Sequence, residues 1–318
     1  MTAELRFRAM GTDVHLLVVG GPPMLVTLAK ARIDDLEQRW SRFLPDSEVS
    51  RLTSNAGHPV RVSDDTVLLV RRAIEGWRMS GGAFDPTVLG AMIRSGYSRS
   101  FDEMRGESAA GHSSLFLGCT DIEVTGNTVR LPLGTGFDPG GIGKGLAADI
   151  VAAEVMAGGA AGVCVSIGGD VRVTGEAPDG AWTIAVEHPW SSDPLVRLGM
   201  TDGAVATSTT LLRRWLVGGH ARHHLVDPAT GLTATTDLNL ATVVAGTGWV
   251  AEVLAKAVLL KGAEHPFDIV GGTGAEAVAV GEDGRVHVSD GLPAFLGGVP
   301  VPSRLTEVDR GQPADLTS

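Results

Sequence analysis

One glycine-rich segment of the chain has the composition of an anion-binding loop. Residues 136–145 read Gly-Phe-Asp-Pro-Gly-Gly-Ile-Gly-Lys-Gly and directly precede an alanine-rich stretch with a helical pattern. Glycine allows tight turns and close approach of a ligand to the backbone, and the start of a helix offers free N–H groups to a phosphate. The spacing fits neither a Walker loop nor G-x-G-x-x-G, so a plain turn between a strand and a helix is the alternative.

A second candidate for chemistry surrounds two adjacent histidines. Residues 220–231 read His-Ala-Arg-His-His-Leu-Val-Asp-Pro-Ala-Thr-Gly. An imidazole titrates near neutral pH and can act as a general base, whereas Asp-Pro-Ala-Thr-Gly is by itself typical of a turn. A zinc site is disfavoured because no second cluster of Cys or His completes one.

Three shorter segments combine acidic residues with glycine or lysine. Residues 82–87 (Gly-Ala-Phe-Asp-Pro-Thr) and 166–170 (Ser-Ile-Gly-Gly-Asp) each fit a turn or a bulge equally well. Glu252 and Lys256 are four residues apart in a helical pattern and share a face. An ordinary ion pair there would contribute about 0.2–0.5 kcal/mol. Alone, none of these segments identifies a reaction.

Helices and hairpin-like strands must position these residues. Strand-like alternation over residues 4–19 is interrupted at Met10-Gly11-Thr12, and the polar segment 103–114 is predicted to be a surface loop. Helices are predicted over 24–41, from the N-cap Ser63 to Gly81-Gly82, over 144–157 and over 248–261. Strands are predicted near 115–132, 163–167, 182–186 and 238–244, with a hairpin over 275–288. This arrangement favours an α+β architecture over a regular parallel βαβ array.

Composition limits the classes of partner. The chain has 318 residues, is 43% hydrophobic and carries a net charge of −11, which argues against a nucleic-acid or anionic-membrane surface. No apolar run has the length of a membrane span, and the N-terminal residues lack the layout of a signal peptide. We therefore expect a cytoplasmic protein. We predict a single domain over 1–305, with two closely packed lobes as the alternative organisation, and a disordered polar tail over 306–318.

Seven short segments, taken in order, resemble those of the ApbE-type FAD:protein FMN transferases. They are Met10-Gly11-Thr12, Arg42-Phe43 through Ser47-Glu48-Val49-Ser50-Arg51-Leu52, Ala83-Phe84-Asp85-Pro86-Thr87, Asp138 through Gly145, Ile167-Gly168-Gly169-Asp170, Ala206-Thr207-Ser208, and His224 through Gly231. Each segment is short, but their common order makes the resemblance specific.

The resemblance implies both a fold and a reaction. The fold is an ApbE-like (T-fold-like) α+β arrangement of mixed, largely antiparallel sheets packed with helices. The reaction cleaves FAD at its pyrophosphate, moves FMN onto a Ser or Thr hydroxyl of an acceptor flavoprotein, and releases AMP. The acceptor residue is expected in a short Asp-Gly-x-Ser/Thr-Gly-Ala-Thr sequence. Displacement at phosphorus mainly requires a positioned diphosphate and cations that oppose the developing charge.

The resemblance also assigns site residues. The positions that match FAD contacts are Met10, Phe43, Ala83, Phe84, Asp85, Asp138, Lys144 and Val226. His224, directly before Leu-Val-Asp-Pro, matches the histidine that activates the acceptor hydroxyl. A neutral imidazole can take that proton while the oxygen attacks phosphorus.

The implied Mg²⁺ site is where the chain departs from the family pattern. The ligands implied are Gly141 and Glu252, but Lys256 stands where the pattern has threonine. In one interpretation, Glu252, Gly141 and the FAD phosphates bind Mg²⁺ while Lys256 turns toward a phosphate. In the other, the Lys256 ammonium is the catalytic cation, oriented by Glu252, and Mg²⁺ binds weakly or not at all. The second interpretation is favoured.

The altered helix leaves two other functions open. The chain could hydrolyse FAD to AMP and FMN, with water in place of the acceptor hydroxyl, or it could bind FAD with impaired transfer. FAD is the expected ligand in every case, and an acceptor protein with a Ser or Thr flavinylation sequence is the expected partner of the transferase.

Overall fold

The computed structural model of the chain describes residues 2–101 and 118–297. The helices of these residues are α1 (Leu25–Trp40), α2 (Glu48–Ser54), α3 (Asp64–Met79), α4 (Leu89–Arg94), α5 (Gly143–Ala157) and α6 (Gly248–Lys261). The strands are β1 (Thr2–Ala9), β2 (Thr12–Val19), β3 (Pro59–Arg61), β4 (Glu123–Thr125), β5 (Thr128–Arg130), β6 (Gly162–Ile167), β7 (Asp170–Gly175), β8 (Trp182–Val186), β9 (Val196–Met200), β10 (Gly203–Thr209), β11 (Arg214–Val217), β12 (His220–His223), β13 (Val226–Asp227), β14 (Leu232–Thr233), β15 (Leu238–Ala245), β16 (Glu276–Gly281) and β17 (Val286–Val288). Single turns of 3-10 helix lie at Cys119–Asp121 and Leu292–Phe295.

One large sheet forms the centre of the described structure. Its eight strands lie in the order β1-β2-β6-β7-β10-β15-β16-β17, and neighbouring strands are antiparallel throughout. Smaller sheets surround it, namely β3-β5-β4, β8-β9, β11-β12 and β13-β14. The predicted α+β fold with largely antiparallel sheets and packed helices is confirmed.

The large sheet is covered on both faces. Helices α1, α5 and α6 pack against one face, where strand residues such as Leu16 and Val165 are fully buried. The β8-β9 hairpin and the turn Leu292–Phe295 cover the opposite face, around Leu198 and Val278. All eight residues of β15 are buried. The central strand therefore contributes to the apolar cores on both sides.

The register of the sheet brings two turns together at one end. Val14 lies opposite Ile167, so the β1–β2 turn at Met10-Gly11 neighbours the β6–β7 turn at Gly168-Gly169. The backbone φ is positive at both turns, including 52° at Met10, as a tight hairpin connection requires. A positive φ is sterically costly for a residue with a side chain, so Met10 is held in this conformation by the surrounding hairpin. Asp170 begins β7 directly after the second turn.

Helices α5 and α6 approach each other closely at the same end. Gly145 and Gly248 face each other, and a Cβ on either residue would overlap the backbone of the other. The Asp149 carboxylate accepts hydrogen bonds from the backbone N–H groups of Gly248 at 2.7 Å and Trp249 at 3.0 Å. These are groups that the start of a helix leaves without a backbone partner. The close crossing lets side chains from the first turns of α5 and α6 meet.

Most of the predicted elements are present in the described residues. The interrupted strand over 4–19 is the β1–β2 hairpin, and the four predicted helices are α1, α3, α5 and α6. Ser63 caps α3 by accepting a hydrogen bond from the Thr66 backbone N–H at 3.3 Å. The short helices α2 and α4 and the β11–β12 hairpin were not among the predictions. The predicted loop at 103–114 and tail at 306–318 lie outside the described residues, and the single domain over 1–305 stays a prediction.

No helix in residues 2–101 and 118–297 combines the length and the apolar character needed to cross a membrane.

Candidate functional site

A cleft of about 430 Å³ opens at the end of the sheet where the two turns meet. This volume lies within the range of small-molecule sites. The residues that line it come from the β1–β2 turn, α1 and the segment after it, the α4 region, the glycine loop, the segments flanking β11-β12, and α6. They are Met10, Gly11, Glu37, Gln38, Trp40, Ser41, Arg42, Phe43, Leu44, Met92, Tyr97, Ser100, Phe101, Asp138, Pro139, Gly140, Gly143, Lys144, Arg213, His224 and Lys256.

The glycine loop forms one wall of the cleft. The Asp138 backbone N–H donates to the Pro86 carbonyl at 2.7 Å, and its carboxylate accepts from the Gly140 N–H at 3.0 Å. The chain then enters α5, with the Gly143 N–H donating to the Pro139 carbonyl at 2.8 Å. The loop is thus a fixed turn whose acid is used in part to hold its own backbone, and it delivers Lys144 to the first turn of α5.

The turn after α3 supports this loop from behind. Ser80 accepts a hydrogen bond from the Phe84 N–H at 3.0 Å, and the Asp85 carboxylate accepts from the Thr87 N–H at 2.7 Å. Burial raises the pKa of Asp85, against hydrogen bonds from Thr87 that lower it. Phe84 is almost fully buried. Within the described residues, Phe84 and Asp85 do not line the cleft but fix the loop that does.

Aromatic side chains form the opposite wall. Tyr97, the only tyrosine of the chain, stacks on Trp215 with ring centroids 5.2 Å apart and meets Phe43 edge-on at 6.0 Å. The Trp215 indole N–H donates to the Ser95 carbonyl at 2.7 Å, which fixes its ring. Phe43 is the most exposed of these three rings, at 37%, and an exposed aromatic ring of this kind can pack against an aromatic ligand.

Arg42 joins the aromatic wall to the glycine loop. Its guanidinium lies over the rings of Phe43 and Tyr97, with its central carbon 4.2 and 4.6 Å from their centroids. Nη1 donates to the Tyr97 carbonyl at 3.1 Å, and Nε lies 3.6 Å from the Asp138 carboxylate. The side chain is only 7% exposed, yet Nη2 is buried without a hydrogen-bond partner among the described residues. A buried donor without a partner is costly.

Lys144 is fully compensated by carboxylates. Its ammonium donates to Asp170 and, at 2.7 Å, to Glu252 Oε1. The second Glu252 oxygen accepts from the Gly145 N–H at 2.8 Å. Although burial opposes it, the two carboxylates raise the pKa of Lys144. This cluster ties β7, α5 and α6 together beneath the cleft.

Lys256 lies one helical turn after Glu252 in α6, and its surroundings differ from those of Lys144. Its ammonium sits against Gly141, where a Cβ would overlap it, and lies 5.8 Å from the centroid of the Phe84 ring. In residues 2–101 and 118–297 no carboxylate forms an ion pair or hydrogen bond with it. Burial lowers the pKa of Lys256, while the charges of Asp138 and Glu252 raise it and those of Lys144 and Arg213 lower it further. We call Lys256 uncompensated because no carboxylate of the described residues pairs directly with its ammonium.

His224 occupies the bend between β12 and β13. The preceding His223 is held by the Ala234 carbonyl at 3.1 Å and accepts from the Leu225 N–H at 3.3 Å. His224 differs, because its Nδ1 is buried without a hydrogen-bond partner among the described residues. Burial, together with the charges of Arg213 and Lys256, holds the pKa of His224 well below its usual value. The imidazole is therefore neutral at pH 7.

The predicted site residues fall into two groups. Those that line the cleft are Met10, Phe43, Asp138, Lys144, His224 and Lys256. Those that are not part of the described lining are Ala83, Phe84, Asp85, Gly141, Val226 and Glu252. Val226 packs with Met92, Tyr97 and Trp215 in the apolar cluster that backs the aromatic wall. All of these residues are brought to one end of the sheet.

Four important residues escaped the sequence prediction of the site: Arg42, Tyr97, Arg213 and Asp170. Tyr97 carried a signal in being the only tyrosine, and Arg42 stands directly before the predicted Phe43. Arg213 and the pairing of Asp170 with Lys144 have no local signal, because both depend on how distant segments meet.

The residues present do not fit the Mg²⁺ site that Gly141 and Glu252 would form. Both Glu252 oxygens are engaged by Lys144 and Gly145, and the Lys256 ammonium sits against Gly141. Among the described residues no group of three or more His, Cys, Asp or Glu side chains could hold a metal ion. Glu252 also does not orient Lys256 directly, as the second interpretation of the sequence supposed, since its partner is Lys144.

Comparison with known proteins identifies one family. The model of the ApbE family matches residues 10–279. The FAD:protein FMN transferase of Vibrio cholerae serotype O1 is 26% identical over 269 residues, which cover 80% of this chain and 80% of that protein. The FAD:protein FMN transferase of Treponema pallidum is 27% identical over 270 residues, which cover 78% of this chain and 74% of that protein.

The fold agrees with this comparison. The crystal structure of the ApbE protein from Thermotoga maritima is similar to the chain with a TM-score of 0.83 and 25% identity, covering 93% of this chain and 99% of that one. The ApbE-like fold implied by the seven sequence segments is confirmed.

Proposed function

Because the chain belongs to the ApbE family, we propose that it is an FAD:protein FMN transferase, which moves FMN from FAD onto a Ser or Thr hydroxyl of an acceptor protein and releases AMP. One observation carries the proposal. Every described residue that lines the cleft, from Met10 to Lys256, lies within the segment 10–279 that the family model matches. The cleft is therefore where an activity shared by the family would be located.

The two walls of the cleft suit the two chemical parts of FAD. The flavin ring packs against the exposed Phe43 ring of the aromatic wall. The negatively charged diphosphate lies toward the glycine loop and the uncompensated cations. The predicted FAD-binding residues then have two roles. Met10, Phe43, Asp138 and Lys144 line the site. Ala83, Phe84, Asp85 and Val226 lie outside the described lining and support it.

The transfer is a displacement at phosphorus. The acceptor hydroxyl oxygen forms a bond to the phosphorus of the FMN half, and the bond between that phosphorus and the bridging oxygen breaks. The electron pair of the broken bond leaves with AMP, and the hydroxyl proton is released. The enzyme's contribution is to hold the diphosphate in line with the hydroxyl and to oppose the growing charge on the departing phosphate.

His224 is the proposed general base. Its imidazole is neutral, faces the cleft, and has a nitrogen without a partner among the described residues. It takes the proton of the acceptor hydroxyl as the oxygen attacks and later gives it to water. General base catalysis of this kind contributes about 10²–10⁴-fold to a rate. Binding of the anionic diphosphate beside the imidazole would raise its pKa and make it a stronger base in the complex.

No step of this mechanism passes through a metal, because the residues present do not fit one. Mg²⁺ dependence is thus the property on which this chain is expected to differ from the family pattern. The uncompensated Lys256 ammonium is the proposed source of positive charge at the diphosphate.

Mass spectrometry of an acceptor domain tests the transferase function. The domain carries an Asp-Gly-x-Thr-Gly-Ala-Thr sequence and is incubated with the protein and FAD, with and without Mg²⁺. We expect its mass to increase by one FMN, and no increase when the acceptor threonine is replaced by valine. AMP and free FMN without modified acceptor would indicate FAD hydrolysis instead. Tight FAD binding with neither product would indicate a flavin-binding protein.

A further inference from the structure

We infer that Arg213 and Lys256 form a cation pair that binds the FAD diphosphate and makes both binding and transfer independent of a divalent metal. The identity of the ligand rests on the proposed function. The position of Arg213 at the site, and the replacement of a metal by two protein cations, rest on the geometry of the cleft.

The first observation is that Lys256 lacks an anion although carboxylates are nearby. Asp138 accepts from the Gly140 N–H and lies 3.6 Å from Arg42, while Glu252 is held by Lys144 and Gly145. Each neighbouring carboxylate is thus turned to another donor. A partly buried ammonium without a partner is costly, so the fold retains Lys256 at the expense of its own stability.

The second observation concerns Arg213, between β10 and β11. Its backbone φ is 50°, a left-handed conformation that is costly for a residue with a side chain. Its side chain lines the cleft, and within the described parts of the chain it forms no ion pair or hydrogen bond. Such strain is found where the surroundings fix a residue for a functional reason. Here it directs a cation into the cleft.

The third observation is that the two cations share one electrostatic environment. The charge of Arg213 lowers the pKa of His224, after the larger effect of burial. It also lowers the pKa of Lys256, although burial and the charges of Asp138, Glu252 and Lys144 affect that pKa more. Arg213 and Lys256 both line the cleft, and an anionic ligand bound there would compensate both cations.

The pairing of charges around the cleft agrees with this inference. The described lining contains the cations Arg42, Lys144, Arg213 and Lys256 and the carboxylates Glu37 and Asp138. Lys144 is neutralised by Asp170 and Glu252, and Arg42 lies beside Asp138, so Arg213 and Lys256 are the described lining cations without a carboxylate partner. A diphosphate diester carries two negative charges and matches this pair.

A bound metal would compete with this pair rather than assist it. A divalent cation near Gly141 and Glu252 would meet the Lys256 ammonium, and unit charges of like sign repel strongly at short range in a partly buried site. The pair instead supplies two positive charges that donate hydrogen bonds directly to phosphoryl oxygens. Arg213 offers a planar fork of N–H groups, and Lys256 a compact charge.

The affinity for FAD in excess EDTA tests the inference without depending on transfer. We measure the dissociation constants of FAD, ADP and riboflavin by calorimetry, with EDTA or with Mg²⁺, for the unmodified protein and for Lys256→Met and Arg213→Met. Matched controls are Lys261→Met in the same helix and Arg214→Met beside Arg213, both of which are exposed and outside the cleft lining.

We expect FAD and ADP to bind equally well with EDTA and with Mg²⁺. Each cleft variant should weaken both ligands by about 10- to 100-fold, as the loss of a charge-assisted hydrogen bond implies, and should leave riboflavin within about twofold of the unmodified protein. The control variants should bind all three ligands normally. Riboflavin binding also reports that the variants are folded. If Lys256→Met does not fold, the loop variant Arg213→Met and the EDTA comparison decide the question.

Two outcomes would overturn the inference: FAD affinity that collapses in EDTA and returns with Mg²⁺, or wild-type affinity for FAD in both cleft variants. Neither outcome would remove the transferase function, which the acceptor experiment tests separately. Conversely, the expected affinities without any FMN transfer would support the cation pair and reject the transferase.

Discussion

Two lysines line the same cleft but differ in their carboxylate partners and in the direction of their pKa shifts. Lys144 donates to Asp170 and Glu252, and these carboxylates raise its pKa. Lys256, on the neighbouring helix, has no carboxylate partner in the described structure, and burial lowers its pKa. Lys144 holds three elements of the fold together, whereas Lys256 is the lysine that we propose to bind a ligand.

The same contrast distinguishes the two adjacent histidines. His223 is bonded on both ring nitrogens, to the Ala234 carbonyl and the Leu225 N–H. His224 has a buried Nδ1 with no partner in the described residues. Of these two neighbouring residues, His223 stabilises the local fold through its hydrogen bonds, and His224 lines the cleft.

The largest effect is expected for the unpartnered histidine. His224→Ala should lower the rate of FMN transfer by about 10²–10⁴-fold, because the general base is removed. His223→Ala should reduce transfer less than tenfold and mainly cost about 1 kcal/mol of unfolding free energy, through its lost hydrogen bonds. Single-turnover transfer to the acceptor domain measures the rates. Full transfer by His224→Ala would reject its role as the base.

Stability separates the two lysines. Lys144→Met leaves Asp170 and Glu252 buried without their cation, so the free energy of unfolding should fall by about 3–5 kcal/mol. Lys256→Met removes a charge that has no partner, so the free energy of unfolding should change by less than about 1 kcal/mol or increase. Urea denaturation of the two variants measures both values. Equal destabilisation by the two substitutions would show that the fold compensates Lys256 after all.

Arg42 is intermediate between the paired Lys144 and the unpaired Lys256, because only part of its guanidinium has hydrogen-bond partners in the described residues. Arg42→Lys keeps the charge but loses the planar fork and the stacking on Phe43 and Tyr97. We expect FAD affinity to fall by about tenfold, since Nη2 is left free for a ligand. Titration of flavin fluorescence measures the effect, with Arg99→Lys, outside the described lining of the cleft, as the control. An unchanged affinity would mean that Arg42 only supports Asp138.

The pH dependence should reflect the lowered pKa of His224. Because burial keeps the free imidazole neutral, kcat/KM should remain constant as the pH falls through 6.5 and decrease only below that value. The acid limb of kcat should lie at higher pH than the limb of kcat/KM, since the bound diphosphate stabilises the imidazolium. A decline of kcat/KM that begins above pH 6.5 in the unmodified protein and is absent in His224→Ala would contradict the lowered pKa of His224.

The smallest effect is on stability at alkaline pH. The pKa of Lys256 is lower in the folded protein than its usual 10.5, so between these values the unfolded chain binds more protons and stability rises with pH. Lys144 has the opposite sign: its pKa is raised, so its stabilising effect is present below its usual pKa of 10.5 and lost as the pH rises above it. As the pH is raised toward 10.5, urea denaturation should therefore show the stability difference between the unmodified protein and Lys256→Met becoming smaller. A constant difference would contradict the shift.

Local signals in the sequence were enough to place most of the scaffold. The cap at Ser63 located the start of α3, and apolar periodicity located α1. Helices α2 and α4 have only seven and six residues, too few for a periodic pattern to be distinguished from a turn. For α2 a local cap is nevertheless present, because the Ser47 side chain accepts a hydrogen bond from the Ser50 N–H.

The partners of the charged residues could not be predicted in the same way. Glu252 and Lys256 have the spacing of an ion pair, yet Glu252 turns to Lys144 and Gly145. This choice depends on the crossing of α5 and α6 at Gly145 and Gly248, which are more than a hundred residues apart. Arg213 enters the cleft through one backbone conformation, which its neighbours in the sequence do not indicate.

The most direct test is transfer by the unmodified protein with the metal removed. The acceptor domain is incubated with the protein and FAD in excess EDTA, and its mass is followed over time beside a sample with Mg²⁺. We expect one FMN to be added in both samples, at rates within a few-fold of each other. Addition of FMN only in the presence of Mg²⁺ would contradict it, because Lys256 and Arg213 would then not take the place of the metal.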